Sequence, residues 1–416
     1  MSVFADLSVA DLLSGDPDQV WISRWVPLAM SEIVVGYTGV SQRPAEMPLA
    51  LFGWGEAARF TARGPHRLAE LQSQWEDWLR GAAQPSEWHA FLTATFADDS
   101  ERDSVLVVPE VLALHFANRT EFFALDEGAV QRLVPRLGAS ELGGSECEPV
   151  AAVPGELTPR GYADAVGRAL SLISSGECVK IVLSRDVVVD PGEMRLADLI
   201  ARLRRQSPDT WVFSIDGLVG ATPELLGGAH DRRFYARVLA GSAPPEEADS
   251  LWASVKNQTE HAYAVASVTD TVGHLLDLSP HPTVVLKLPN IAHLSTELTA
   301  DMHPGVGLVE TVEAMHPTAA ICGTPTATAA RLLRQIEGFD RGRYGGPVGW
   351  LDAHGGGELA LALRCGQVEE GASGARIRLY AGAGIVDGSD PDAEVAETDH
   401  KLRPMLKALG VTGLVR

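Results

Sequence analysis

The chain has 416 residues, 45% of them hydrophobic and 21% charged, a balance that excludes disordered tails and small stapled scaffolds. At about 150 residues per domain, this length allows two to three domains or one large one. A formal net charge of −21, with no basic stripe to offset it, argues against nucleic acid and anionic lipid as partners.

The first twenty residues carry four Asp and no Lys or Arg, the reverse of a signal peptide's basic start. Residues 1–150 form a loosely patterned first part, with apolar runs at 32–37 and 105–109 and the pair Trp75 and Trp78. The small, polar run 138–154 reads as a surface connection. Residues 151–416 are patterned more sharply. Thr158-Pro159 predicts a capped helix start, with Gly176 just past its end. The β-branched run 178–189 predicts a strand that puts Lys180, Val182 and Ser184 on one face.

Further strands are predicted over 211–216, 233–240 and 284–288, and a long helix over 249–278. The segments 349–353 and 358–365 around Gly355-Gly356-Gly357 predict a hairpin. A strand at 376–386 follows, then a helix from Pro391 to 409, capped by Asp390. Hairpin-joined strands with helices in blocks predict an α+β fold, with large, mostly antiparallel sheets covered by helices. The longest uncharged stretch, 314–330, is broken by His, Gly, Pro and Thr and predicts no membrane span. Cys147, Cys178, Cys322 and Cys365 share no paired spacing, so neither a disulfide framework nor a zinc site is expected. The expectation is a reduced, soluble, cytoplasmic protein.

Gly382-Ala383-Gly384 with Gly388 mimics a dinucleotide fingerprint, but its last Gly falls one position late and no strand–helix–strand unit surrounds it. It reads better as a strand end where a ligand approaches the backbone. Other residues have two readings each. Lys180, between Val179 and Ile181, is either a desolvated base or a Lys snorkelling from a sheet edge. Glu224, in Ala221-Thr222-Pro223-Glu224, is either an acid that keeps its proton or a helix-start Glu. Glu394, Glu397 and Lys401 share a helix face by spacing. They form either a solvated pair worth about 0.3–0.5 kcal/mol or a carboxylate pair for Mg²⁺. Glu260-His261 poses the same choice on the long helix.

Taken together, CVKIVLSR (178–185), ATPELL (221–226), LAGS (239–242), KNQTEH (256–261), HPTAAICGTP (316–325), GFDRGRYGGPVGW (338–350), GELALALR (357–364) and the run 380–402 resemble the chorismate-utilising enzymes, most of all isochorismate synthases. The resemblance implies Lys180 as the base that activates water and Glu224 as the acid that protonates the departing hydroxyl. It implies Mg²⁺ held by Glu260 and Glu397, with Glu394 beside them. It implies substrate contacts at Ala240, Gly241, Ser242, His293, Arg364, Gly382, Gly384 and Lys401. These cations and Mg²⁺ would supply the positive charge that an acidic chain otherwise lacks for the anion chorismate.

Within the family, Lys180 favours water over ammonia as nucleophile, and Ala240 stands where aminodeoxychorismate synthases carry a nucleophilic Lys. His316-Pro317-Thr318 and Ser242 look more like isochorismate synthases than salicylate synthases, which go on to expel pyruvate. A non-catalytic chorismate-binding relative is the third possibility. Asn257, where the family often has an acid, and Pro244-Pro245, after LAGS, depart from the pattern. The resemblance further implies a monomer and a single integrated catalytic region.

Overall fold

The computed structural model describes residues 2–4, 7–23, 47–138, 152–208, 210–243, 245–287, 292–371 and 374–411. The apolar run at 32–37, Cys147 and most of the 138–154 connection lie outside them. Among the described residues, two sheets of 12 and 10 strands form, and every pairing is antiparallel. The architecture is α+β, as the hairpin pattern predicts.

Strands from the first 124 residues belong to both sheets. In the larger sheet Gln19–Ile22 pairs with Trp211–Ile215, linking the early strands to Leu218–Thr222, Cys365–Gly371, Gly374–Ile385, Lys180–Val189 and the edge strand Gly323–Thr324. In the smaller sheet His89–Thr93 pairs with Pro347–Asp352, which leads on to Gly357–Leu361, Leu225–His230, Arg233–Ala243 and Ala292–Asp301. The sheets face each other across Trp21, Phe91, Phe213 and Trp350, all essentially without solvent contact. Each such side chain contributes about 1.5–3 kcal/mol by leaving water. Helices cover the outer faces: Leu196–Gln206 and Pro391–Ala408 contribute to one outer core, and Arg67–Gly81, Pro159–Ser174 and Thr326–Glu337 to the other.

Local signals behave as their chemistry dictates. Thr158 Oγ1 accepts from the Gly161 amide at 3.1 Å, and Asp390 Oδ1 accepts from Ala393 at 2.9 Å. Three expectations need correction. The long helix is two, Ser250–Ala253 and Val255–Val272, because Ser254 breaks the run and its hydroxyl caps the second helix at Asn257. The strand expected over 358–365 ends at Leu361, and a separate strand, Cys365–Gly371, begins in the other sheet. Glu224 starts no helix; it lies between the strands Leu218–Thr222 and Leu225–His230.

Candidate active site

Lys180 opens the Lys180–Val189 strand, and the face it shares with Val182 and Ser184 meets Gly384 and Gly382 of the next strand, opposite Val182 and Ser184 respectively. Neither glycine puts a side chain on that face, so a bare backbone floor results. The Lys180 side chain lies along it: a Cβ on Gly384 would stand 2.9 Å from Lys180 Cε and 3.6 Å from Nζ. A Cβ on Gly382 would stand 3.2 Å from the Tyr344 hydroxyl. The glycine pair is thus a place of close approach rather than a nucleotide fingerprint.

Glu224 and Arg364 occupy two of the points where the chain crosses between sheets. Glu224 lies between Thr222 in the larger sheet and Leu225 in the smaller; Arg364 lies between Leu361 and Cys365 on the return. Three hydrogen bonds lace the crossings together. The Leu361 amide donates to the Glu224 carbonyl at 3.0 Å, the Ala221 amide to the Arg364 carbonyl at 3.2 Å, and the Thr222 hydroxyl to the Leu361 carbonyl at 2.6 Å. Arg364 takes a left-handed backbone, φ 48°, costing about 1–2 kcal/mol that the lacing offsets.

Burial pushes the Glu224 carboxyl above the usual carboxylate range, and Lys180, Arg364 and Lys401 oppose it from nearby. Burial likewise pushes Arg364 down, against the pull of Tyr344, Glu397 and Glu224. Its guanidinium makes no hydrogen bond to a described residue. A partly buried cation in that state is suited to an incoming anion.

The Pro391–Ala408 helix supplies the acidic end. Lys401 Nζ donates to the Gly382 carbonyl at 2.9 Å and meets Glu397 at 2.7 Å, so the expected i,i+4 pair is also a tie to the glycine floor. Burial raises Glu394, the neighbouring Glu397 raises it further, and a hydrogen bond from Ser389 resists. Its Oε2 is buried with no described partner. Arg185 holds this helix in place through Thr398, 2.7 Å from its Nε, and an ion pair with Asp399.

In the LAGS segment, Ala240 faces Leu294 and Ser242 faces His293, with a bulge at Gly241, φ 72°, between them. The bulge lies against the Val255–Val272 helix: a Cβ on Gly241 would stand 3.1 Å from Asn257 Cβ. Burial pushes His293 below the usual histidine range and Arg364 adds to this, while a hydrogen bond with the Gly241 backbone opposes. Glu260 falls on the same helix, one turn beyond Asn257. Its side chain and that of Ser242 lie outside the description. Among the described residues no three His, Cys, Asp or Glu side chains converge on one point.

Lys180, Glu224, Arg364, His293, Glu394, Glu397, Lys401 and the two glycines are therefore brought into one neighbourhood, each within contact or electrostatic reach of another. Sequence reasoning gave no role to Tyr344, which stacks on Tyr380 at 5.1 Å and sits beside Arg364. It also missed Glu337 and Arg341. Glu337 Oε1 accepts from the Ser184 amide at 2.7 Å, and Arg341 donates to the Val182 and Ile321 carbonyls at 2.6 and 2.9 Å. Both fall in or beside GFDRGRYGGPVGW, a segment whose density of Arg and Gly was the available signal.

A family model described as chorismate binding enzyme matches residues 133–410. Isochorismate synthase DhbC of Bacillus subtilis (strain 168) is 36% identical over 277 residues, 61% of this chain and 68% of that protein. The vibriobactin-specific isochorismate synthase of Vibrio cholerae is 28% identical over 414 residues, 92% of this chain and 98% of that one. The solved structure of MenF, the menaquinone-specific isochorismate synthase from Escherichia coli, shares the fold with a TM-score of 0.76 at 21% identity, covering 98% of this chain and 94% of that one. No helix among the described residues is long and apolar enough to cross a membrane. With the match spanning the crossings at Glu224 and Arg364, the glycine floor and the acidic helix, the chain belongs to the family of chorismate-binding enzymes.

Proposed function

We propose that the chain is an isochorismate synthase, an isomerase that moves the hydroxyl of chorismate from C4 to C2 with water as nucleophile. The observation that carries this reading is the grouping of Lys180, Glu224 and Arg364, whose guanidinium has no hydrogen-bond partner among the described residues, around a floor of two glycines. Lys180 takes a proton from water as its oxygen bonds to C2. Both ring double bonds shift by one position, and the C4–O bond breaks as Glu224 delivers its proton to the leaving hydroxyl. One water enters and one leaves; the proton gained by Lys180 and that lost by Glu224 re-equilibrate through solvent.

Arg364 and the backbone of the floor would hold a substrate carboxylate. Neutralising Arg364 in this way removes a cation that opposes Glu224's proton, so occupancy favours the acid form. Glu394 and Glu397, like charges one turn apart, with Glu394 Oε2 buried and without a partner among the described residues, fit a divalent cation. We assign them to Mg²⁺, with Glu260 as a further ligand. Bound there, Mg²⁺ would neutralise a second substrate carboxylate.

The deciding experiment incubates purified protein with chorismate and Mg²⁺, with and without EDTA, and resolves products while assaying pyruvate. Isochorismate without pyruvate, lost with EDTA, is expected. Stoichiometric pyruvate with salicylate would make it a salicylate synthase, and unchanged chorismate would reject the assignment.

Two further results are expected. Glu397→Gln should weaken Mg²⁺ binding at least tenfold in a calorimetric titration, as an oxygen ligand loses its charge; an unchanged isotherm would reject the metal assignment. Because Glu224 is raised in the folded chain, its protonated form favours folding below the ordinary carboxylate pKa. That contribution is lost as pH rises through the raised value. Glu224→Gln should therefore flatten the fall of stability with pH across that window while costing activity. Parallel pH–stability curves for variant and wild type would contradict it.

A further inference from the structure

The strand of the proposed base is paired along only part of its outer edge. Lys180 and Ile181 pair there with Thr324 and Gly323, and Val187, Val188 and Val189 pair with the short strand Ala152–Pro154. No described strand pairs with residues 182–186 on that side. Buried backbone groups need partners, and in this gap an ion pair supplies them. Arg341 Nη2 donates to the Val182 carbonyl at 2.6 Å, and the Ser184 amide donates to Glu337 Oε1 at 2.7 Å. Arg341 Nη1 also donates to the Ile321 carbonyl at 2.9 Å. One guanidinium therefore spans the strand and the segment entering its edge partner, two residues from Lys180.

Phe96 holds that guanidinium from the far side. It lies in the connection between the strands His89–Thr93 and Ser104–Val108, ahead of the residues that the family model matches. Its buried ring stands under Arg341, 4.4 Å from centroid to Cζ. A planar cation resting on an aromatic face loses freedom to tilt. The ring is itself hemmed in: His316 meets it edge-on at 5.9 Å, and a Cβ on Gly345 would stand 3.3 Å from it. The connection is tied down on both sides of the ring. The Phe96 amide donates to the Gly342 carbonyl at 2.8 Å, Arg67 Nη2 to the Thr95 carbonyl at 3.0 Å, and the Ser100 hydroxyl to Asp340 at 2.7 Å.

We propose that Phe96 is a positioning residue for Lys180. Its ring fixes the guanidinium whose two hydrogen bonds set the Val182 and Ile321 backbones, and so where the Lys180 side chain lies over Gly384. This rests on the isochorismate synthase reading. It gives the N-terminal part of the chain a role in the reaction without any contact with substrate. Without the aromatic face, the ion pair keeps its charges but its fork is free to tilt, and the strand end that carries the base shifts with it. A small misplacement of a reacting group slows the bond-forming step, whereas the proposed carboxylate contacts at Arg364 and the glycines stay as they are.

The test compares wild type, Phe96→Leu, Phe96→Tyr, Arg341→Lys and the double variant Phe96→Leu/Arg341→Lys, reading KM and the single-turnover rate of isochorismate formation with enzyme in saturating excess. That rate is a first-order constant and does not depend on the folded fraction. It should fall about tenfold in Phe96→Leu, with KM within about twofold, and Phe96→Tyr, which keeps the aromatic face, should recover most of it. Phe96→Met, equally without an aromatic face, repeats the test at a different shape and should match Leu. Added to Arg341→Lys, Phe96→Leu should cost less than about twofold, because both residues act through one contact. An unchanged single-turnover rate in Phe96→Leu and Phe96→Met, a loss that Tyr fails to restore, or full multiplication of the two effects in the double variant overturns the proposal. A wild type that makes no isochorismate overturns the functional reading and this proposal with it.

Discussion

Replacing Lys180 by Ala should lower kcat for isochorismate formation by about 10²–10⁴-fold, the range that a positioned general base supplies. KM should change little, because the proposed carboxylate contacts belong to Arg364 and the glycine floor. Folding should survive: Lys180 is only partly buried at the first residue of its strand, after the exposed Val179, and no core side chain is lost. Lys180→Arg separates charge from basicity. A guanidinium keeps the positive charge but does not give up its proton, so this variant should be nearly as inactive as Ala. If Arg retained most of the activity, Lys180 would be an electrostatic anchor and the base would have to be sought elsewhere. A single-turnover experiment at saturating chorismate reads this most directly.

Arg341→Ala should destabilise the folded protein by about 3–5 kcal/mol, the cost of breaking a buried ion pair by removing one partner. Arg341 and Glu337 are both almost fully buried, joined from Arg341 Nε to Glu337 Oε2 at 2.9 Å and packed with the guanidinium 4.4 Å above the Phe96 ring. Removing the guanidinium leaves a carboxylate without its counter-ion and the Val182 and Ile321 carbonyls without their donors. Those carbonyls belong to the strand of the proposed base and to the segment that pairs with it, so residual folded protein should also lose activity. Urea unfolding gives the comparison. The double variant Glu337→Gln/Arg341→Met, which removes both charges at similar volume, should recover part of the loss. A single-variant cost below about 1 kcal/mol would mean that the pair is relaxed by water.

What could be read in the sequence was whatever depends on near neighbours. Thr158-Pro159 and Asp390-Pro391 carry their caps within three residues, and the β-branched run through Val187, Val188 and Val189 specifies a strand without help. The placement of Lys180 on the face with Val182 and Ser184 follows from alternation alone. The crossings at Glu224 and Arg364 were illegible, since each depends on strands some 140 residues away in the chain. The strand Leu225–His230 contains Gly227-Gly228, which locally reads as a turn. Glu337 and Arg341 have the spacing of a solvated surface pair, and only tertiary packing makes them a buried one. The resemblance to chorismate-utilising enzymes linked these distant segments where local patterning could not.

The laced crossings divide the cleft into two mechanical parts. The crossings that carry Glu224 and Arg364 are hydrogen-bonded to each other, so the backbones of the proposed leaving-group acid and the proposed anion holder keep a fixed separation. Lys180, the proposed base, belongs to a different part, a strand end beside a two-residue edge strand that takes no part in that lacing. A scaffold built this way keeps bond breaking invariant while the choice of incoming nucleophile stays open to substitution, which makes the sheet edge the natural place to redirect the chemistry by design.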